Sequence, residues 1–97
     1  MIHIEEEDLK ILCGVLSRYP YTFYAFGSRV TGTHWQYSDL DLCYKDPIPP
    51  EVWVDIDDDL RQSNLPFKVD LVAWQKLPVE WQKNIEKDLT PIQCLPL

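Results

Sequence analysis

Apolar residues recur along this chain at two periods. Leu9, Leu12 and Leu16, widened by Ile11 and Val15, fall at helical spacing and predict a helix over about residues 5–18. Glu5, Glu6, Glu7 and Asp8 crowd its first turn and Arg18 sits in its last, as the helix dipole favours, so the acidic run is a solvated helix start. Pro20 ends it. "YTFYAF", 21–26, is short and aromatic, as a strand should be. Residues 38–44, "SDLDLCY", alternate: Leu40, Leu42 and Tyr44 take one face, and Asp39, Asp41 and Cys43 the other. "KDPIPP" is a connector, because proline cannot serve a central strand. Val52, Ile56 and Leu60, with Trp53 alongside, predict a second helix over 51–62, stopped by Asn64-Leu65-Pro66. "FKVDLVAW", 67–74, reads as a third strand, with Phe67, Val69, Leu71 and Ala73 on one side and Lys68, Asp70 and Val72 on the other. Pro78 suits the first turn of a last helix, "PVEWQKNIEKDL", and the apolar end "TPIQCLPL" is short enough for a final strand or a docking tail.

This order predicts an α/β (α+β) domain with a small mixed sheet of three to four strands flanked by helices, residues 1–97 forming one domain. Trp53, Trp74 and Trp81 fall at core-like positions and are read as packing; Trp35 lies in a loop. His3 and His34 are unclustered. "DIDDD", 55–59, lacks the glycine and glutamate of a calcium loop and is read as a solvated helix face.

The net charge of −7 argues against non-specific or stable nucleic-acid binding, which needs cations against phosphates. A nucleotide remains compatible, since a divalent cation inverts the local charge logic. No apolar run is long enough for a bilayer. The first residues carry acids where a targeting peptide carries bases. The three cysteines, Cys13, Cys43 and Cys94, show no C-x-x-C spacing. The expectation is a cytoplasmic protein with reduced thiols, Cys13 and Cys43 being small buried residues.

The chemistry-bearing stretch is "GSRVTGTHWQYSDLD", 27–41. Strand residues at i and i+2 point the same way, so Asp39 and Asp41 present two carboxylates in one direction. Asp70 sits among apolar residues of another strand. If the strands are neighbours, three anions converge and need a cation or shifted pKa values. Hard oxygen donors suit Mg²⁺ or Mn²⁺, which accept substrate phosphates as further ligands. Gly27 lets the backbone approach a phosphate, and Ser28, opening a helical turn, offers a hydroxyl and adjacent N–H groups.

Gly27-Ser28, ten residues, then Asp39-Leu40-Asp41 resembles the signature of the nucleotidyltransferase superfamily related to DNA polymerase β. The wording "GSRVTG…SDLDL" is similar to its smallest branch, the minimal nucleotidyltransferases (MNT), antitoxin partners of HEPN-domain toxins. The resemblance covers about 21–74. It implies the nucleotidyltransferase fold and a metal-dependent enzyme of the protein adenylyltransferase class, using ATP and two Mg²⁺ or Mn²⁺ ions. Asp39 and Asp41 would ligate both ions. Asp70 would ligate the catalytic ion and help deprotonate the attacking hydroxyl. Gly27 and Ser28 would contact the β- and γ-phosphates, and Arg29 would neutralise the pyrophosphate. Val30 and Thr31 depart from the small and basic residues that family members often carry there. The implied acceptor is a tyrosine hydroxyl of a HEPN ribonuclease toxin, neutralised by AMP. The short acidic chain points away from nucleic-acid acceptors. Two other readings stand beside this one: neutralisation by binding and occlusion without catalysis, and nucleotidyl transfer to a small molecule.

Overall fold

The computed structural model describes residues 2–94. Helix α1, Glu6–Leu16, buries Leu12, Val15 and Leu16 and begins with Glu6, Glu7 and Asp8, the acids its dipole favours. Strand β1, Phe23–Phe26, runs into a single helical turn, α2, Ser28–Thr31. Strand β2 is Leu40–Tyr44. Helix α3, Pro50–Gln62, starts on proline and buries Ile56 and Leu60. Strand β3, Val69–Ala73, is followed by a 3₁₀ turn, Trp74–Lys76, then helix α4, Val79–Ile85, a second 3₁₀ turn, Glu86–Asp88, and β4, Thr90–Pro91.

The four strands order as β3-β2-β1-β4. β1 is antiparallel to both β2 and β4, whereas β2 and β3 are parallel. The parallel pair needs a crossover, and α3 supplies it. The sheet is therefore mixed, as the order of elements predicts. One face carries Phe23, Ala25, Leu40, Leu42, Tyr44, Val69 and Leu71, all buried against α1 and α3. The apolar alternation read from the sequence thus lies on the core side.

Two aspartates of the acidic α3 face are partnered. Tyr19 donates its hydroxyl to Asp59 at 2.5 Å, joining the end of α1 to α3, and Arg61 donates to Asp57 at 2.8 Å. Edge strand β3 is covered at one point, where the Trp53 indole N–H donates to the Leu71 carbonyl at 3.2 Å.

Two expectations fail. Cys13 and Cys94 are not free thiols but a disulfide, with Cα atoms 5.6 Å apart across 81 residues of sequence. β4 pairs with β1, and the Ile92 N–H donates to the Phe23 carbonyl at 2.8 Å, which brings the chain end back over α1. Neither spacing nor an odd cysteine count reveals that return. Cys43 is free and fully buried, with burial pushing its thiol up to about 11, which makes it inert packing as expected. Trp81, read as packing, is 59% exposed. Trp35 is 65% exposed, as its loop position predicts. No helix among the described residues is long and apolar enough to cross a membrane.

Candidate active site

The second face of the sheet carries the chemistry. Asp41 is the cross-strand partner of Phe26 on one side and of Asp70 on the other. One register row therefore runs Phe26–Asp41–Asp70 across three strands, with side chains on a common face. Gly27 follows Phe26 directly, so the end of β1 meets the Asp41 carboxylate. A Cβ placed on Gly27 would lie 2.5 Å from Asp41 Oδ2. Its φ of 84° also falls in the left-handed region, so glycine is required here twice, by conformation and by contact.

Asp41 and Asp70 are the part of the expected trio that the fold brings side by side. Asp39 stands one residue before β2 and is exposed. Its charge nevertheless reaches the pair. Burial first, then the charges of Asp70 and Asp39, push the Asp41 carboxyl from 3.8 up to about 6. Lys68 Nζ lies 3.2 Å from Asp70 Oδ1, the one ion pair at this row. Lys68 shares the face of Asp70 two residues earlier, a position that sequence reading recorded without giving it a role.

The donor chemistry suits a divalent cation. Two adjacent carboxylates, one of them destabilised as an anion by its surroundings, gain from a hard positive charge between them. Among the described residues no three His, Cys, Asp or Glu side chains already stand gathered as a metal cage.

Gly27 precedes the α2 turn, in which Val30 and Thr31 donate their N–H groups to its carbonyl. The first N–H groups of the turn, on Ser28 and Arg29, have no partner inside it. Gly32, φ 84°, ends the turn in the left-handed conformation.

Arg29 lies elsewhere than its expected role requires. It is 4% exposed. Its Nε donates to the Ser38 carbonyl at 3.0 Å, one terminal nitrogen to the His3 carbonyl at 3.0 Å and the other to the Gln36 carbonyl at 3.1 Å. The guanidinium also lies 4.1 Å from the centre of the Phe67 ring. A charge so committed fixes the loop between α2 and β2 and does not face a phosphate. His34 of this loop meets His3 from the segment before α1, their ring centres 5.3 Å apart, so the two histidines are neighbours although the sequence separates them.

The polymerase beta nucleotidyltransferase family model matches residues 14–94, and the chain belongs to that family. It is an enzyme of the nucleotidyltransferase class. It is 33% identical over 96 residues to the "Probable protein adenylyltransferase MntA" of Haemophilus influenzae (strain ATCC 51907 / DSM 11121 / KW20 / Rd), covering 95% of this chain and 84% of that protein. The family match agrees with the Gly-Ser…Asp-x-Asp reading, and the Haemophilus relative agrees with the resemblance of "GSRVTG…SDLDL" to the minimal branch. Among solved structures, one described as "Crystal structure of the toxin-antitoxin with AMP-PNP" shares the fold, with a TM-score of 0.62 and 20% identity over 95% of this chain and 75% of that one.

Proposed function

We propose that this chain is an antitoxin that transfers AMP from ATP to a tyrosine hydroxyl of a HEPN ribonuclease toxin and so silences it. The observation that carries the reading is the row Asp41–Asp70 with Gly27 packed against Asp41. A glycine turn suited to a phosphate lies against a carboxylate pair, which supports nucleotidyl transfer. The adenylyltransferase name of the Haemophilus relative and the toxin-antitoxin neighbour that holds AMP-PNP support the choice of ATP and of a protein partner.

In this reading Asp39, Asp41 and Asp70 hold two Mg²⁺ or Mn²⁺ ions, with Asp39 turning toward the pair. Bound there, the ions supply charge neutralisation at the attacking and leaving oxygens. The residues do the rest. Gly27 and the Ser28 hydroxyl and N–H receive the β- and γ-phosphates. Asp70 takes the proton of the attacking hydroxyl. Arg29 acts as a positioning residue: by holding the Ser38 carbonyl it fixes the chain immediately before Asp39. Transfer relies mainly on position and charge, since phosphoryl chemistry asks little covalent work of the protein.

The test is the intact mass of the HEPN protein encoded beside this one, after incubation with this chain, ATP and Mg²⁺. A gain of one or more AMP units, absent with Asp41→Asn, is expected. Silencing of the partner without any mass gain would replace this reading by occlusion.

A further inference from the structure

In-line displacement puts the attacking and leaving oxygens on opposite sides of the phosphorus. If pyrophosphate leaves toward Gly27 and Ser28, at the end of β1, the attacking oxygen must enter from the far side of Asp41, across β3. A cleft of about 330 Å³ opens there, bordered by Phe26, Asp41, Trp53, Lys68, Asp70 and Trp81. Gly27 and Ser28 do not border it. Its walls combine a phenyl ring and two indoles with the carboxylates of Asp41 and Asp70, the Lys68 ammonium and, from α3, the paired Asp57 and Arg61.

Trp81 is the feature that needs a reason. Helix α4 carries three apolar residues, Val79, Trp81 and Ile85, yet none of its residues is buried, and Trp81 is 59% exposed. An indole held at the mouth of a cleft that contains the reactive carboxylates contributes little to the core and is placed to meet a ring. Lys68 pairs with Asp70 at 3.2 Å on the border of the same cleft.

We propose that this cleft is the acceptor subsite and takes a tyrosyl side chain, its ring against Trp81 and Phe26 and its hydroxyl at Asp70 beside Lys68. The inference rests on the adenylyl-transfer reading and adds to it the residues that choose the acceptor. In the step, the phenol oxygen bonds to the α-phosphorus. The bond from that phosphorus to the α–β bridging oxygen breaks, its electrons leave with pyrophosphate, and the phenolic proton passes to Asp70. Aromatic walls favour tyrosine over serine or a ribose hydroxyl, which would leave the indole uncovered.

The probe is N-acetyltyrosinamide, with N-acetylserinamide as control. Titrated into the ¹⁵N-labelled full chain, the tyrosine probe is expected to shift the Trp81 indole and Lys68 amide signals saturably; the serine probe should not. Trp81→Ala should weaken that binding, and raise the KM for a tyrosyl acceptor, about tenfold, with Trp81→Phe restoring most of it and the KM for ATP unchanged. Shifts confined to the Trp35–Tyr37 loop, no saturable shift, or a Trp81→Ala effect on ATP rather than on the acceptor would overturn the assignment, the last by giving the cleft to the nucleotide base. Failure of the wild-type protein to transfer AMP to any tyrosine would instead remove the parent reading. The titration would still decide what the cleft binds.

Discussion

Asp41→Asn should stabilise the cation-free protein while removing its activity. The carboxyl rises from 3.8 to about 6 because it is half-buried beside Asp70 and within reach of Asp39. Taken at face value, that rise penalises the ionised form by roughly 3 kcal/mol at pH 7. Solvent screening of a partly exposed group reduces this to about 1–2 kcal/mol. The sign follows from linkage. The folded state holds the Asp41 proton more tightly than the unfolded chain, so the penalty is complete above about pH 6, fades between 6 and 3.8, and is absent below both values. Asparagine keeps the shape, cannot ionise, and can donate to the neighbouring Asp70. Urea or thermal unfolding with a chelator present, from pH 4 to 8, measures the effect. The variant should melt about 5–10 °C above wild type at pH 7 and about level with it at pH 4. Added Mg²⁺ should stabilise wild type and not the variant, and AMP transfer should fall about a hundredfold or more. A variant less stable than wild type at pH 7, or a gap that does not close on acidification, would refute the reasoning.

Four further outcomes are expected. Gly27→Ala, which sets a methyl against Asp41 Oδ2 at a positive φ, should cost about 1–3 kcal/mol in urea unfolding and lower AMP transfer through the displaced carboxylate. Arg29→Lys cannot serve three carbonyls at once and should lose about 2–4 kcal/mol, with the loop before Asp39 gaining hydrogen exchange. Cys94→Ser should lower stability by about 2–4 kcal/mol, and a reductant should lower wild type by a similar amount without moving the variant. Trp53→Phe, which frees the Leu71 carbonyl at the sheet edge, should cost about 1 kcal/mol in the same assay.

Much of the architecture was legible because periodicity is local. The alternation Leu40, Leu42, Tyr44 against Asp39, Asp41 is set by backbone pleating alone, and all three apolar residues do face the core. The stripe Val52, Ile56, Leu60 likewise fixed a helix and its buried side. Boundaries were less secure. The third strand ends at Ala73, before Trp74, where the backbone tightens into a 3₁₀ turn. Trp81 was misplaced because a large indole reads as core material. The shortness of "VEWQKNI" was the contrary signal, since only Ile85 shares the side of Trp81 and the helix has little apolar stripe to bury.

For the site, the sequence by itself singled out the candidate groups: a glycine and serine at a strand end, and carboxylates at the i, i+2 spacing with a third downstream. What it could not determine was adjacency. Only the parallel pairing of β2 with β3 sets Asp41 beside Asp70, and only the antiparallel return of β1 presses Gly27 onto Asp41. Tertiary structure likewise took Arg29 into the interior, where three carbonyls and a ring hold its charge. It also joined Cys13 to Cys94 and left Trp81 open beside the carboxylates. The division has one physical cause. Side-chain direction along a strand follows from bonded geometry, whereas neighbours across a sheet depend on which strands pair and in what register, a choice made by the burial of the whole core.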